Sequence, residues 1–137
     1  MKLYIASSFS LIGKVEKLTA ILEAEGHEIT VKWWTRLHLK QKFQVLEPEE
    51  FYAEPECEYA FMRDMKGIHE ADALIMVASD EPRSYNGANV EIGMAIGIGR
   101  PVFSLGRLTN SAMYWPIKRC TSTDELLSII KQTKRTE

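Results

Sequence analysis

The stretch Asn86-Gly87-Ala88-Asn89-Val90-Glu91-Ile92-Gly93-Met94-Ala95 holds one carboxylate among small and apolar neighbours. Its pattern predicts a helix over residues 89–98 with Glu91 in the first turn. A solvated surface helix carries more polar residues, so Glu91 reads as a carboxylate at the rim of a sheet, facing a crevice where it can act on a ligand. The plainer reading is a glutamate that stabilises a helix N-terminus. A second candidate is the loop Ser7-Ser8-Phe9-Ser10, whose hydroxyls and free backbone N–H groups at a helix start suit an anion or a sugar hydroxyl. Plain N-capping explains the same residues. Asp64 reaches the crevice of Glu91 only if its helix starts there; alone it reads as a solvated charge, and Asp72 as a helix end or turn cap. Tyr4, Trp33 and Trp34 suit the walls of a pocket for a flat ring, although aromatic core packing is the commoner use.

Residues of this kind need a frame to hold them. Leu3-Tyr4-Ile5-Ala6 and Ala73-Leu74-Ile75-Met76-Val77-Ala78 are short apolar runs ended by polar turns, as expected of strands buried on both faces. Residues 29–34 and 117–120 and the run Val102-Phe103-Ser104-Leu105 read as further strands. Between them lie helical patterns: from Leu11 with Val15, Leu18, Ile21 and Leu22 on one face, over 56–71 with Tyr59, Met62, Met65 and His69 at helical spacing, and over 124–134 with Leu126, Leu127 and Ile130 inward. Gly26 suits a left-handed stop, Pro48 a helix start, and Ser122 or Thr123 a cap. Residues 35–47 show no clean period and read as a loop with a short helix. Gly93, Ala95, Gly97 and Gly99 imply close packing on the sheet or on another subunit; Gly97 and Gly99 precede a strand and make no dinucleotide fingerprint. Strands alternating with helices give a doubly wound, flavodoxin-like α/β fold of about five parallel strands. Ligands of such sheets bind beyond the strand carboxyl ends, here the loops after Ala6, Ala78 and Leu105.

Composition removes several classes. The 137 residues fit one domain, residues 1–137, and 45% hydrophobic with 26% charged residues is ordinary globular usage. A net charge of −2 supplies no field for a phosphate backbone, so nucleic-acid binding is not the main task. Cys57 and Cys120 lie far apart and His27, His38 and His69 are scattered, so no metal is expected. No apolar run approaches the ~20 residues of a membrane span, and Met1-Lys2 leads into a strand rather than a leader; a cytoplasmic location is expected.

The blocks Lys2-Leu3-Tyr4-Ile5-Ala6-Ser7-Ser8-Phe9, Arg63-Asp64 with Asp72-Ala73-Leu74-Ile75, Gly87-Ala88-Asn89-Val90-Glu91-Ile92-Gly93 with Ala95, and Arg100-Pro101-Val102 occur in order. Together, over about residues 2–113, they resemble the nucleoside 2-deoxyribosyltransferase superfamily, which includes 2'-deoxynucleoside 5'-phosphate N-hydrolases. The resemblance implies a flavodoxin-like fold without a cofactor, and Glu91 as nucleophile at the anomeric carbon of a 2-deoxyribosyl group. It implies Asp64 as the acid or the group that orients the base, and Tyr4 as the residue orienting the nucleophile. Ser7, Ser8, Phe9, Ser10, Trp33, Gly87 and Asn89 fall in the matching pocket regions, and residues 33–47 are expected to line the base side of the pocket. A homodimer or an assembly of dimers is also implied, with Asn110, Ser111 and Met113 completing the neighbour's pocket.

Departures leave the branch open. An Arg that helps hold a 5'-phosphate is replaced by Ser10, a Ser six positions before the glutamate by Tyr85 with Ser84 beside it, and the transferase Asp at that place is missing. Ser7, Ser8, Ser10, Ser84 and Ser111 can still form a neutral phosphate cradle, with Arg83 or Arg107 supplying charge. Transfer of the sugar between bases is the leading expectation, hydrolysis of a 5'-monophosphate the alternative, and a nucleotide sensor without turnover the rival of another class.

Overall fold

The computed structural model describes all residues except Pro82, Ser84 and Glu137, and side chains except those of these residues, Leu37 and residues 134–136. Five parallel strands, β1 (Lys2–Ala6), β2 (Glu28–Ile29), β3 (Ala73–Val77), β4 (Val102–Leu105) and β5 (Lys118–Cys120), form one sheet in the order β2-β1-β3-β4-β5. Among the described residues six α-helices surround it: α1 (Ile12–Ala24), α2 (Leu37–Gln44), α3 (Pro48–Ala53), α4 (Pro55–Glu70), α5 (Asn86–Gly97) and α6 (Thr123–Thr136). This is the flavodoxin-like α/β arrangement. The chain leaves β1 toward β2 on one side and returns over β1 to β3 on the other, so the connections diverge between the carboxyl ends of β1 and β3.

Burial sets the centre of the sheet. Every residue of β3 and all of β1 after Lys2 are buried, paired from Leu3 with Ala73 to Ala6 with Met76. Asp72 fixes the start of this pair: its carboxylate accepts the Lys2 N–H at 2.7 Å and its own N–H reaches Lys2 O at 2.7 Å. Leu126 and Ile130 of α6 are fully buried beneath the sheet, and Ser122 caps that helix by accepting the Glu125 N–H.

Some of these expectations are corrected. The strand read over 29–34 stops at Ile29, and Trp33–Arg36 makes a 3-10 turn. Glu28 and Thr30 bond Met1 O and Leu3 O, but the next carbonyl in the row, Ile5 O, accepts the Trp33 indole N–H at 2.6 Å instead. Folding back also packs Trp33 edge-on against Phe9 and Trp34, burying rings that an edge strand would leave wet. Within residues 35–47 the expected short helix is α2, Leu37–Gln44. The α4 face against the sheet is Gly67 and Ile68 rather than Tyr59 and Met62, which stay 61% and 49% exposed. A methyl group at Gly67 would stand 2.3 Å from Val31 Cγ2, so glycine lets α4 lie close on this edge of the sheet. Finally, α5 begins at Asn86, three residues early, and packs through Ala88, Ile92 and Ala95; Gly93 and Gly97 are exposed and do not pack on the sheet.

Candidate active site

Three elements converge at the switch point. On β1, Tyr4 is fully buried and points toward α4 and α5. On α5, Glu91 lies three residues after buried Ala88 and four before buried Ala95, so it shares the sheet-facing side of the helix, in the second turn rather than the first. On α4, Asp64 sits one turn before Gly67 and is carried in by that close approach. Tyr85 anchors the loop into α5: its ring is buried and its hydroxyl accepts the Ser79 N–H at 2.8 Å.

The Tyr4 hydroxyl donates to Glu91 Oε2. Asp64 Oδ1 accepts from Arg36 Nη2 at 2.8 Å, with the two side chains 28% and 13% exposed. Burial, and then the nearby Asp64 charge, push the Glu91 carboxyl up to about 8, against the opposing pull of the Tyr4 hydrogen bond and the Arg36 charge. Burial also raises Asp64, which Arg36 resists through its hydrogen bond and charge. The Tyr4 phenol is pushed far up by burial and by both carboxylates, so it stays a donor.

Beside these groups opens a cavity of about 530 Å³, a size suited to one small molecule. Phe9, Trp33, Phe43 and Phe61 supply aromatic walls, while Ser7, Ser8 and Gly87 lie where the loops after β1 and β3 meet. Glu91, Asp64 and Arg36 are polar groups in a largely apolar lining. A flat ring fits such walls, with the carboxyls of Glu91 and Asp64 on the same lining. Among the described residues no group of three or more His, Cys, Asp or Glu side chains is gathered to hold a metal ion, and no helix is long and apolar enough to cross a membrane.

Residues 3–125 match the family model for nucleoside 2-deoxyribosyltransferase. The chain belongs to that family. Among solved structures it is similar to a 2-deoxyribosyltransferase from Bacillus psychrosaccharolyticus, with 21% identity, a TM-score of 0.68, and 92% of this chain and 90% of that one covered. A CMP N-glycosidase from Clostridium botulinum aligns with a TM-score of 0.60 at 18% identity, over 96% and 99% of the two chains. Both likenesses are of fold. No curated protein matches the chain.

In this 2-deoxyribosyltransferase-family chain, the structure brings Ser7, Ser8, Phe9, Trp33, Asp64, Gly87 and Glu91 to one cavity, with Tyr4 behind Glu91. Ser7 Oγ is already bonded to Val77 O at 2.7 Å, and Trp34 packs in the core without lining the cavity. Ser10 and Asn89 stand outside its lining: Ser10 bonds Ser8 and Arg83, and Asn89 accepts from the Tyr114 hydroxyl. Asn110 belongs to a second, polar pocket with Arg83, Arg107 and Arg119; Ser111 lines a third, and Met113 is exposed. Within the single chain the loop after Leu105 lines these pockets and does not reach the Glu91 cavity. Ser84 lies outside the described residues.

Arg36, Leu39, Lys40 and Phe43, all on the cavity wall, lie in the stretch 33–47 expected there, but sequence reasoning singled out none of the four. Trp33, Arg36, Lys40 and Phe43 recur at steps of three and four, a helical stripe hidden from a hydrophobic pattern because two members are charged.

Proposed function

We propose that the chain cleaves the N-glycosidic bond of a 2'-deoxynucleoside, with Glu91 as nucleophile. The observation that carries this reading is a carboxylate gripped by a buried tyrosine at the edge of an aromatic-walled cavity, with Asp64 lining the same space. Ionised Glu91 attacks the anomeric carbon, the carbon–nitrogen bond breaks, and its electron pair leaves with the base, which takes a proton from water. The sugar is then held as a glycosyl ester. A nitrogen of a second base, or water, attacks the same carbon, gives its proton to the hydroxide left by the first step, and returns the electron pair to Glu91. Tyr4 holds the attacking carboxylate in line, and Asp64 faces the base. On this reading a second copy completes the cavity with Asn110, Ser111 and Met113, which are exposed in the single chain and do not line it.

One set of contacts favours a 5'-monophosphate as substrate. Ser8 at the cavity edge bonds Ser10 Oγ at 2.7 Å, and Ser10 in turn accepts from Arg83. This row of hydroxyls ends on a guanidinium whose pocket also holds Arg107 and Arg119, a setting suited to a phosphate.

Free base released from 2'-deoxynucleosides and their 5'-monophosphates, each with and without a second base, tests the proposal. Release that needs the second base and yields a new nucleoside identifies a transferase. Release without it, greatest from monophosphates, identifies a hydrolase. Binding without release from any substrate overturns the catalytic reading in favour of a sensor.

A further inference from the structure

Two carboxyls share the cavity, and one of them alone has a guanidinium at hydrogen-bond distance. We propose that Arg36 is a positioning residue: its ion pair holds Asp64 as an ionised acceptor, so that Asp64 receives an N–H of the bound base rather than delivering a proton to it. The inference rests on the reading of Glu91 as nucleophile.

The pair joins two elements built on β1. Arg36 ends the 3-10 turn fixed by the Trp33 indole on Ile5 O, and Asp64 lies on the helix docked at Gly67. Arg36 Nη2 meets Asp64 Oδ1 at 2.8 Å, while its Nε and Nη1 are buried with no hydrogen-bond partner. A cation that leaves two donors unanswered is a poor device for stability alone, since apolar side chains in place of a buried ion pair often serve at least as well. What the cation does achieve is to distinguish the two acids. The groups facing Asp64 are Arg36 from the turn before α2, Arg63 on α4, Glu91 from α5 and Tyr4 from β1, and Lys40 of α2 lines the same cavity. Of these, Arg36 is the strongest influence holding Asp64 ionised, whereas Glu91 is supported chiefly by a neutral phenol. An ionised carboxylate only accepts hydrogen bonds, which suits a ring N–H or amino group on the base edge.

The test compares Arg36→Gln, Arg36→Lys, Asp64→Asn and the Arg36→Gln/Asp64→Asn double variant, with Glu91→Gln in parallel. Each is measured by base release across pH and by carboxyl carbon NMR titration of Asp64, which needs no turnover. Arg36→Gln is expected to raise the Asp64 titration by about 1–3 pH units. It is expected to lower kcat/KM by up to about 100-fold, the scale of a misplaced contact, with Arg36→Lys recovering part of both. Asp64→Asn and the double variant should then fall together, because Arg36 acts through Asp64. The rising limb should move to higher pH in Arg36→Gln and to lower pH in Asp64→Asn, since the two charges act on Glu91 in opposite directions. An Asp64 titration unmoved in Arg36→Gln, or losses that simply add in the double variant, overturns the proposal. Full activity in Glu91→Gln overturns instead the nucleophile on which it rests.

Discussion

The cavity at β1 and β3 and the pocket beside it share a wall at Tyr85 yet are made of different material. The first is walled by aromatic rings and takes its acids from a strand-backed crevice, with Tyr4 on a central strand and Glu91 and Asp64 on helices that pack on the sheet. The second is formed mainly by the loops carrying Arg83, Arg107 and Asn110, with Asn89 from α5, Arg119 from β5 and Tyr114 from a 3-10 turn. Low dielectric and rigid mounts favour bond making, because a buried carboxylate responds strongly to each neighbouring charge. Loops with guanidinium groups favour recognition of an anion in water. If this division holds, changes in the first region act on the chemical step and changes in the second on substrate choice.

The largest expected effect is at Glu91. Glu91→Gln keeps the shape of the side chain but removes the carboxylate proposed as nucleophile, and base release is expected to fall by at least about 10³-fold. Substrate binding, measured by calorimetry with a 2'-deoxynucleoside, should survive. Retained turnover would move the chemistry out of the first region.

Next is Tyr4→Phe, which deletes one hydrogen bond to a charged group, worth about 1.5–3 kcal/mol. A loss of roughly 10- to 100-fold in kcat/KM is expected at neutral pH. The profile carries the finer information. With Glu91 pushed up to about 8, kcat/KM of the wild type should climb with pH and level off near there, because the ionised form attacks. The Tyr4 hydrogen bond favours the ionised form, so its removal shifts the limb upward. A wild-type limb at the ordinary carboxylate position would show that substrate-free burial does not govern the working enzyme.

The second region is probed at Arg83. Arg83→Ala is expected to weaken selection of a 5'-monophosphate over the free nucleoside by about tenfold, the scale of one charge-assisted contact. Turnover of the nucleoside should be unchanged. Equal losses on both substrates would erase the distinction between the two regions.

The first region was far more legible in the sequence than the second. β1 and β3 announce themselves because strands buried on both faces read as unbroken apolar runs, and Glu91 stands out as one charge inside such a run on α5. The parallel sheet follows from the alternation of strands and helices, while its strand order is read only in the structure. Legibility failed where side-chain hydrogen bonds replace regular structure. Nothing in the order of residues 29–34 says that the Trp33 indole will take Ile5 O and turn the chain away from the sheet. That turn places Arg36, so the cation beside Asp64 was invisible along with it. Asn110, Ser111 and Met113 came from resemblance alone, and a single chain leaves them outside the Glu91 cavity.

The smallest expected effect separates the regions by stability. A carboxyl whose folded value is raised above the ordinary 4.5 to about 8 binds its proton more tightly in the folded chain than in the unfolded one. The folded state therefore holds the extra proton between those two values, and stability declines as pH rises through that window. Above about 8 the decline is complete, and the native carboxylate is charged in an apolar setting. Glu91→Gln removes the ionisable group while keeping most of the packing, so it should melt a few degrees above the wild type at pH 9 and show little advantage at pH 4. Arg83→Ala, in the exposed loop, should show no such pH-dependent difference. A Glu91→Gln advantage independent of pH would mean that shape, not charge, limits stability at the site. Its absence at pH 9 would mean that the protein gives Glu91 more compensation than Tyr4 and Arg36 provide.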